Sequence, residues 1–277
     1  MQPDWLGACR RATATVREML QSASTSEQRL RETGTIGEGG DRTLEIDAAA
    51  EEAMFKELEQ LHEQGATFSV ISEERGAVAY GAELPLVVID PIDGSTNAKR
   101  GLRHHALSVA VADGETMGDV FFGFVHDFGP EEEWVAERGQ GAMLNGAPLD
   151  RSAPERRMEN GKLELLGIES SDPRWIREVA DGLADSAHRI RALGTIAISL
   201  CQVADARFDG MLSIRRCRAV DAAAAQLIVR EAGGEITFPG CETALGAPLD
   251  IKPHFPIVAA RTQATLDELA QIPIISE

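Results

Sequence analysis

The chain has 277 residues, of which 43% are hydrophobic and 26% are charged, as in ordinary globular proteins. Its formal net charge at pH 7 is −18, and an acidic surface disfavours nucleic acids and anionic membranes as partners. No stretch approaches the roughly 18 apolar residues of a membrane span, and the N-terminus lacks the apolar core of a signal peptide, so we expect a cytoplasmic protein. The four cysteines have no metal-binding or redox spacing, which favours reduced thiols.

The first half of the sequence predicts two helices followed by antiparallel strands, an α+β pattern. Apolar residues recur at helical spacing over residues 4–30, with Asp4 as the N-cap, and a second helix is expected from Leu44 to about His62. The glycine-rich segment 33–43 between them is expected to be a loop. The predicted strands cover residues 68–71, 86–89 (after a loop that reaches Pro85), 105–112, 120–125 and 132–136, and Asn145-Gly146 predicts a two-residue hairpin turn.

The second half of the sequence alternates strands with helices, an α/β pattern. The polar segment 154–161 predicts a boundary between an N-terminal subdomain, residues 1–153, and a C-terminal subdomain, residues 154–277. The predicted strands cover residues 163–167, 189–191, 208–214, 236–238 and 256–260, and the predicted helices cover residues 173–183, 195–203, 219–231 and 262–270.

The most informative segment is 86–97, with the sequence LVVIDPIDGSTN. Its apolar first part predicts a buried strand that ends at Asp90, because Pro91 has no backbone N–H to donate. Asp93 follows three residues after Asp90, and the small residues 94–96 are suited to the start of a helix. Two carboxylates at a strand end suit a hard cation such as Mg²⁺, and free N–H groups at a helix start suit a phosphate. An isolated pair of this spacing is more often a turn with a helix cap.

The string D-P-I-D-G-S-T-N resembles the D-P-[IL]-D-G-[ST]-[TS]-N signature of the inositol monophosphatase family, and the resemblance extends from about residue 47 to residue 260. Further segments resemble the family's other motifs in the same order: Glu45-Ile46-Asp47 (T-x-x-D), Val70-Ile71-Ser72-Glu73-Glu74 (I-G-E-E), Gly139-Gln140-Gly141-Ala142 with Asn145-Gly146 (G-x-G-A-x-x-N-G) and Val220-Asp221-Ala222-Ala223-Ala224-Ala225 (W-D-x-A-A-G). The resemblance implies the sugar phosphatase fold, a layered αβαβα sandwich that combines α+β and α/β parts.

Carboxylates at the predicted ends of strands and helices form the candidate metal site: Asp47, Glu73, Asp90, Asp93 and Asp221. These are hard oxygen ligands without an accompanying His or Cys, so they favour Mg²⁺ or Mn²⁺ over Zn²⁺. The resemblance implies that one Mg²⁺ binds Glu73, Asp90 and the carbonyl oxygen of Ile92. It implies a second Mg²⁺ on Asp90, Asp93 and Asp221, and a third, weaker ion near Glu73. Asp41 either lies in a flexible connector or supplies an extra metal ligand.

The resemblance also implies direct, in-line attack of a metal-activated water on phosphorus, without a covalent intermediate. Ser95, hydrogen-bonded to Asp47, would take the proton of that water, in the position where the family has Thr paired with Asp. Glu73 completes the implied catalytic set. The implied substrate-binding residues are the phosphate cradle of Gly94, Ser95 and Thr96, the segment Gly194-Thr195, and Ser213. The segment 214–218 also carries Arg215, Arg216 and Arg218 close to the pocket. These arginines either offset nearby metal-site carboxylates or lie on the surface, or Arg215 or Arg216 holds a second anionic group of the substrate through its planar fork.

The expected function is therefore that of a Mg²⁺-dependent, lithium-sensitive phosphomonoesterase acting on a small sugar or polyol phosphate, with inositol monophosphate or fructose 1,6-bisphosphate as substrates. Two alternatives remain open. One is a 3′-phosphoadenosine 5′-phosphate or dinucleotide phosphatase of the same superfamily, and the other is a regulatory or binding member with weak catalysis. The resemblance further implies a homodimer, and no nucleic-acid or membrane partner is expected.

Overall fold

The computed structural model describes residues 3–22, 31–38 and 42–273. Residues 23–30 of the first predicted helix and Asp41 lie outside the described residues. The described helices are α1 (Trp5–Ser22), α2 (Glu45–Glu63), α3 (Ser95–Arg100), α4 (Pro173–Ser186), α5 (Ile196–Ala204), α6 (Ala219–Glu231) and α7 (Gln263–Leu269). The described strands are β1 (Glu32–Ile36), β2 (Arg42–Leu44), β3 (Phe68–Ser72), β4 (Gly76–Asp93), β5 (Ala106–Ala112), β6 (Val120–Asp127), β7 (Glu132–Glu137), β8 (Gly141–Leu144), β9 (Ala147–Pro148), β10 (Leu163–Glu169), β11 (Ala187–Arg191), β12 (Gly210–Ser213), β13 (Glu235–Thr237) and β14 (Val258–Ala260).

The larger sheet has seven strands in the order β3-β4-β5-β6-β7-β8-β9, and the pairs from β4 to β9 are antiparallel. Every residue of β5 is buried, because both faces of this sheet are covered. Leu107 and its alternate neighbours pack with α1 and α2, whereas Ala110 faces the core that contains α5 and α6. The predicted hairpin turn between β8 and β9 is confirmed, since Asn145 and Gly146 both have positive φ.

Strand β4 is longer than the sequence predicts at both of its ends, and each extension has a structural reason. Its first arm begins at Gly76 and pairs with β3, which also pairs with the later arm, so Val70 lies between Val78 and Val87. The predicted loop up to Pro85 is therefore wrong. The later arm continues past Pro91 to Asp93, because a register shift between Asp90 and Asp93 places the proline in a bulge, where no ladder hydrogen bond is required of it.

The smaller sheet has the strand order β11-β10-β12-β14-β13. Strand β10 is parallel to both β11 and β12, and β14 is antiparallel to β12 and β13. Two helices cover its outer face, since Leu183 of α4 and Leu266 of α7 pack in one core with Leu212 of β12. The parallel strands joined by helices confirm the predicted α/β character of the second half.

The two sheets and three pairs of helices form five layers. Helices α1 and α2 cover the outer face of the larger sheet, α5 and α6 lie between the two sheets, and α4 and α7 cover the smaller sheet. This arrangement confirms the predicted αβαβα sandwich. The proposed subdomain boundary at residue 153 falls between the two sheets, and it stays a prediction because α5 and α6 share one core with strands of both halves.

The N-terminal region confirms one local prediction and corrects another. Asp4 is the N-cap of α1, since its Oδ1 accepts a hydrogen bond of 2.9 Å from the N–H of Gly7. The segment 33–43 is not wholly a loop, because β1 pairs antiparallel with β2. All four cysteines are free thiols. Among the described helices, none is both long and apolar enough to cross a membrane.

Candidate active site

A cleft of about 400 Å³ lies where the end of β4 meets the starts of α2 and α3 and the segment before α6. Both β4 and β3 deliver carboxylates to it at their C-terminal ends. The lining residues are Glu32, Leu44, Asp47, Glu73, Glu74, Asp90, Ile92, Asp93, Gly94, Ser95, Thr96, Lys99, Gly194 and Arg218. Asp47, Glu73, Asp90 and Asp93, which come from separate motifs, therefore line one cavity. Asp221 is not among the lining residues, and it reaches the cleft through its contact with Arg218.

The bulge in β4 turns Asp90 and Asp93 toward this cleft. Asp90 is 1% exposed, and its Oδ1 accepts a hydrogen bond of 3.0 Å from the N–H of Ile92. Asp93 Oδ2 accepts hydrogen bonds from the hydroxyl of Thr195 and, at 2.7 Å, from the N–H of Ala197. Burial raises the pKa of both carboxyls well above the usual value, and nearby acidic side chains add to the rise. A cation in the cleft would relieve that repulsion.

Arg218 joins two of the predicted metal ligands. Its Nη1 lies 2.6 Å from Glu73 Oε1, and its Nη2 lies 3.3 Å from Asp221 Oδ1. Asp221 also accepts a hydrogen bond of 3.2 Å from the N–H of Arg218, at the start of α6. Burial raises the pKa of Glu73 to about 7 although the guanidinium opposes the rise.

Asp47 lies in the first turn of α2 and is 5% exposed. Burial, followed by the charges of Glu74 and Glu73, raises its pKa to about 7. Its Oδ1 is buried and has no hydrogen-bond partner among the described residues. The Ser95 hydroxyl also favours the ionised form of Asp47, yet it donates a hydrogen bond of 2.9 Å to the Ile92 carbonyl oxygen. A hydroxyl has one proton, so the predicted Asp47–Ser95 dyad requires it to turn from Ile92 to Asp47, and the dyad stays a prediction.

The rim of the cleft is held by residues that were not predicted from the sequence to have a role. Asn97 Nδ2 donates to the carbonyl oxygens of His104 at 2.8 Å and Leu193 at 2.7 Å. Glu169 accepts hydrogen bonds of 3.0 Å from the N–H groups of Leu193 and Gly194. These contacts fix the segment that carries Thr195. Asn97 belongs to the signature string, whereas no local pattern distinguishes Glu169 from other acidic residues at a strand end.

Three predicted substrate-binding residues lie apart from this cleft. Ser213 Oγ donates to the carbonyl oxygen of Arg215 at 2.7 Å and accepts from the N–H of Ile257 at 3.0 Å. The guanidinium of Arg215 lies 4.2 Å from the centre of the Trp175 ring, and Arg216 is exposed. None of the three is among the residues that line the cleft, and their role in substrate binding stays a prediction.

Two cationic residues line the cleft, and neither was given a specific contact from the sequence. Lys99 lies four residues after Ser95, so α3 presents both on one face, and this spacing was a usable signal. Arg218 lies three residues before Asp221, which is the spacing of a helix N-terminus and its first turn. From the sequence, Arg218 belongs to one basic segment with Arg215 and Arg216, and only the latter two were given a specific role.

The donor chemistry of the cleft fits a hard divalent cation. Its acidic side chains offer only oxygen atoms, burial and nearby acidic side chains raise the pKa of Asp47, Glu73, Asp90 and Asp93, and Asp47 Oδ1 is unpaired within the described residues. In the present arrangement, no three acidic, His or Cys side chains of the described residues converge as a metal cage. Arg218, Thr195 and the Ile92 N–H instead engage oxygens of the proposed ligands.

A model of the inositol monophosphatase family matches residues 4–273. A protein of Thermococcus kodakarensis named fructose-1,6-bisphosphatase/inositol-1-monophosphatase is 37% identical over 72% of this chain and 70% of its own length. A protein of Pasteurella multocida named Nus factor SuhB is 32% identical over 72% of this chain and 73% of its own. A solved structure of an inositol monophosphatase–fructose 1,6-bisphosphatase has a TM-score of 0.81 at 24% identity, covering 98% of this chain and 100% of that one. The family is generally metal-dependent. The chain belongs to the inositol monophosphatase family, and it is a phosphatase.

Proposed function

We propose that the protein is a Mg²⁺-dependent phosphomonoesterase that hydrolyses a small sugar or polyol phosphate. The observation that carries this proposal is the convergence of buried acidic residues from separate elements beside the start of α3, in one cleft. Such a concentration of carboxylates is electrostatically unfavourable without cations, and the adjacent N–H groups suit a phosphate.

The proposed metal ligands divide into two overlapping sets. Glu73, Asp90 and the carbonyl of Ile92 would hold one Mg²⁺, and Asp90, Asp93 and Asp221 would hold a second. A third, weaker ion would bind near Glu73. Mn²⁺ could replace Mg²⁺ at these sites. When bound, the ions would supply an activated water and stabilise the leaving alkoxide.

The remaining steps are assigned to the chain's own residues. Asp47 is suited to accept the proton of the attacking water through Ser95, because its pKa of about 7 allows both protonation states near neutral pH. The N–H groups of Gly94 and Ser95 orient the phosphate oxygens. Thr195 holds Asp93 in place through its hydroxyl, so it supports the proposed metal site rather than the substrate directly.

Fructose 1,6-bisphosphate and inositol monophosphate are the proposed substrates, since a protein with 37% identity to this chain carries both activities in its name. Lys99 lines the cleft and adds a cation that could bind a second phosphate group, a role first predicted for Arg215 or Arg216. Lys99→Ala is therefore expected to lower kcat/KM for fructose 1,6-bisphosphate by about tenfold and to lower kcat/KM for inositol 1-phosphate less. Arg215→Ala is the matched comparison. Equal losses on both substrates in Lys99→Ala would contradict a second-phosphate role.

Phosphate release from inositol 1-phosphate, fructose 1,6-bisphosphate and 3′-phosphoadenosine 5′-phosphate, each with Mg²⁺ or with EDTA, tests the proposed activity. We expect Mg²⁺-dependent release from one of the first two, and millimolar lithium is expected to inhibit it. Preferential hydrolysis of the nucleotide would favour the alternative phosphatase activity.

A regulatory role is the second candidate function, because a relative with 32% identity is named as a Nus factor. The same assay separates the two candidates. Metal binding without release from any of the three substrates would favour the regulatory role. The proposed homodimer is tested by the mass of the purified protein in solution.

A further inference from the structure

Arg218 is the only arginine among the described residues that line the cleft. Its side chain is 21% exposed, whereas the side chains of Glu73 and Asp221 are each 12% exposed. The contact of 2.6 Å with Glu73 Oε1 is a short, charge-assisted hydrogen bond, and the contact of 3.3 Å with Asp221 Oδ1 is longer. One guanidinium therefore bridges carboxylates from β3 and α6.

The guanidinium contact with Asp221 is not needed to form the start of α6. Asp221 Oδ2 separately accepts a hydrogen bond of 3.2 Å from the N–H of Arg218, and this backbone contact is available to any residue except proline. The local structure thus depends on the main chain of residue 218, and its side chain can serve another purpose.

That purpose is suggested by the charges around the guanidinium. Glu73 and Asp90 are 9% and 1% exposed and line one cleft with Asp93, and the guanidinium of Arg218 places a positive charge among these carboxylates. Arg keeps its charge at every physiological pH, so this compensation is permanent. A divalent cation bound by Glu73 and Asp221 would need the same oxygens and would be repelled by a guanidinium within hydrogen-bond distance of them.

We infer that Arg218 is a built-in counter-charge that competes with divalent cations for Glu73 Oε1 and Asp221 Oδ1, and thereby sets the metal concentration at which the site is filled. This inference rests on the proposed function, because it takes both residues as metal ligands. Filling the site requires the guanidinium to turn away from at least one carboxylate. The cost of breaking that charge-assisted contact is subtracted from the affinity for the metal.

The experiment compares Mn²⁺ binding and thermal unfolding among the wild-type protein and three variants. Arg218→Met removes the charge and keeps an unbranched side chain, Arg218→Lys keeps the charge, and Arg216→Met is the control at an exposed arginine of the same segment. Isothermal titration with MnCl₂ is expected to give binding about tenfold tighter for Arg218→Met, the loss of one charge-assisted contact. Its Tm is expected to fall without metal and to rise more than the wild-type Tm on addition of Mn²⁺. Arg218→Lys is expected to stay within about threefold of the wild-type affinity for Mn²⁺, and Arg216→Met is expected to match the wild type in Mn²⁺ affinity and in Tm.

Mn²⁺ binding by Arg218→Met that is equal to or weaker than wild-type binding would overturn the inference. An equal loss of Tm with and without Mn²⁺ would do the same, because it indicates a purely structural contact. If Arg218→Met does not fold, Arg218→Gln retains a hydrogen-bond donor without the charge and is expected to bind Mn²⁺ more tightly than Arg218→Lys. If the wild type releases phosphate with Mg²⁺ but the variants bind Mn²⁺ with unchanged affinity, this inference is refuted and the proposed function is not. A wild-type protein that neither binds Mn²⁺ nor releases phosphate refutes the proposed function as well.

Discussion

At the scale of single residues, burial has the largest effect on the pKa values of the acidic side chains in the cleft. Asp47 and Glu73 both have pKa values raised to about 7, with burial as the largest cause in each case. Of the two, only Asp47 is assigned to proton transfer, and a carboxyl with a pKa near neutrality can both accept and return a proton at neutral pH. An exposed acid with an ordinary pKa near 4 would be a weaker base for this purpose.

Asp47→Asn and Ser95→Ala are each expected to lower kcat by at least about 100-fold and to change KM little, since both are assigned to the attacking water rather than to the bound substrate. The double variant is expected to lose no more than the worse single variant, because the two residues act as one unit. Steady-state kinetics on all three proteins checks this. Losses that multiply in the double variant would show that the two residues have separate roles.

Glu169 provides a stability test outside the proposed metal ligands. Burial raises its pKa to about 7 despite hydrogen bonds from Ser199 and from main-chain N–H groups, whereas its unfolded value is 4.5. The folded protein therefore holds the proton more tightly than the unfolded chain, and its stability decreases as pH rises from about 4.5 to 7, by up to about 3 kcal/mol.

Glu169→Gln removes this titration. The amide oxygen of the glutamine can accept hydrogen bonds from the surrounding donors, but its amide nitrogen cannot. We expect the wild type to exceed the variant in the free energy of unfolding most clearly near pH 5, with the difference shrinking by pH 8. Urea unfolding at pH 5, 6, 7 and 8 measures it. A difference that stays constant over this range would mean that Glu169 does not change protonation there.

At the scale of elements, the connection between β4 and α3 sets the shape of the phosphate cradle. Gly94 has φ of 90°, and a Cβ atom on it would lie 3.0 Å from the carbonyl oxygen of His104 and 3.2 Å from that of Gly194. Both oxygens belong to main chain, which cannot easily move aside. Only glycine allows β4, α3 and the rim segment to approach this closely.

Gly94→Ala is expected to lose activity and to destabilise the protein by more than the roughly 1 kcal/mol typical of alanine in the left-handed region. Gly139→Ala is the matched control, because Gly139 has φ of 77° and a Cβ atom on it would have no neighbour within 4 Å among the described residues. The control should lose only the free energy of unfolding that alanine costs in the left-handed region, and it should keep full activity. Phosphate release and urea unfolding of both variants test this, and equal losses in the two would argue against a role for the close approach.

Elements with a local signal could be predicted from the sequence, and contacts between distant elements could not. Helix α6 has the predicted limits Ala219 and Glu231, since apolar periodicity and the following glycines define it locally. The early arm of β4 was missed because its pairing with β3 depends on a partner already paired elsewhere. The sequence places Arg218 in a basic segment near the pocket, but its contact with Glu73 could not be predicted, because it joins residues 145 positions apart in the sequence.

At the scale of the whole molecule, a buried arginine outside the cleft helps to hold the two halves together. Arg261 follows β14, is 5% exposed, and donates to the carbonyl oxygens of Ala153 at 3.1 Å, Ala204 at 3.2 Å and Ala232 at 3.1 Å. It thereby ties the C-terminal ends of α5 and α6 to the segment that connects the two sheets. A positive charge at two helix C-termini is also favourable for the helix dipoles.

Arg261→Met is expected to destabilise the protein by about 3 kcal/mol or more, because several buried carbonyl oxygens lose their donor. KM for the substrate is expected to be unchanged in the folded fraction, since Arg261 does not line the cleft. Arg191→Met, at an exposed arginine, is the control and should unfold like the wild type. Chemical denaturation compares the three. A midpoint for Arg261→Met equal to that of the control would exclude this tie as a major source of stability.

The central claim is that the acidic cleft performs metal-dependent phosphate-ester hydrolysis, and the most direct measurement is phosphate release as a function of Mg²⁺ concentration. The wild type and Asp93→Asn are compared on inositol 1-phosphate and fructose 1,6-bisphosphate, with Asp185→Asn, an exposed carboxylate, as the control. The account predicts saturable Mg²⁺-dependent release by the wild type and the control, and a loss of at least about 100-fold in Asp93→Asn at every Mg²⁺ concentration. Near-wild-type release by Asp93→Asn at saturating Mg²⁺, or release that persists in EDTA, would contradict it.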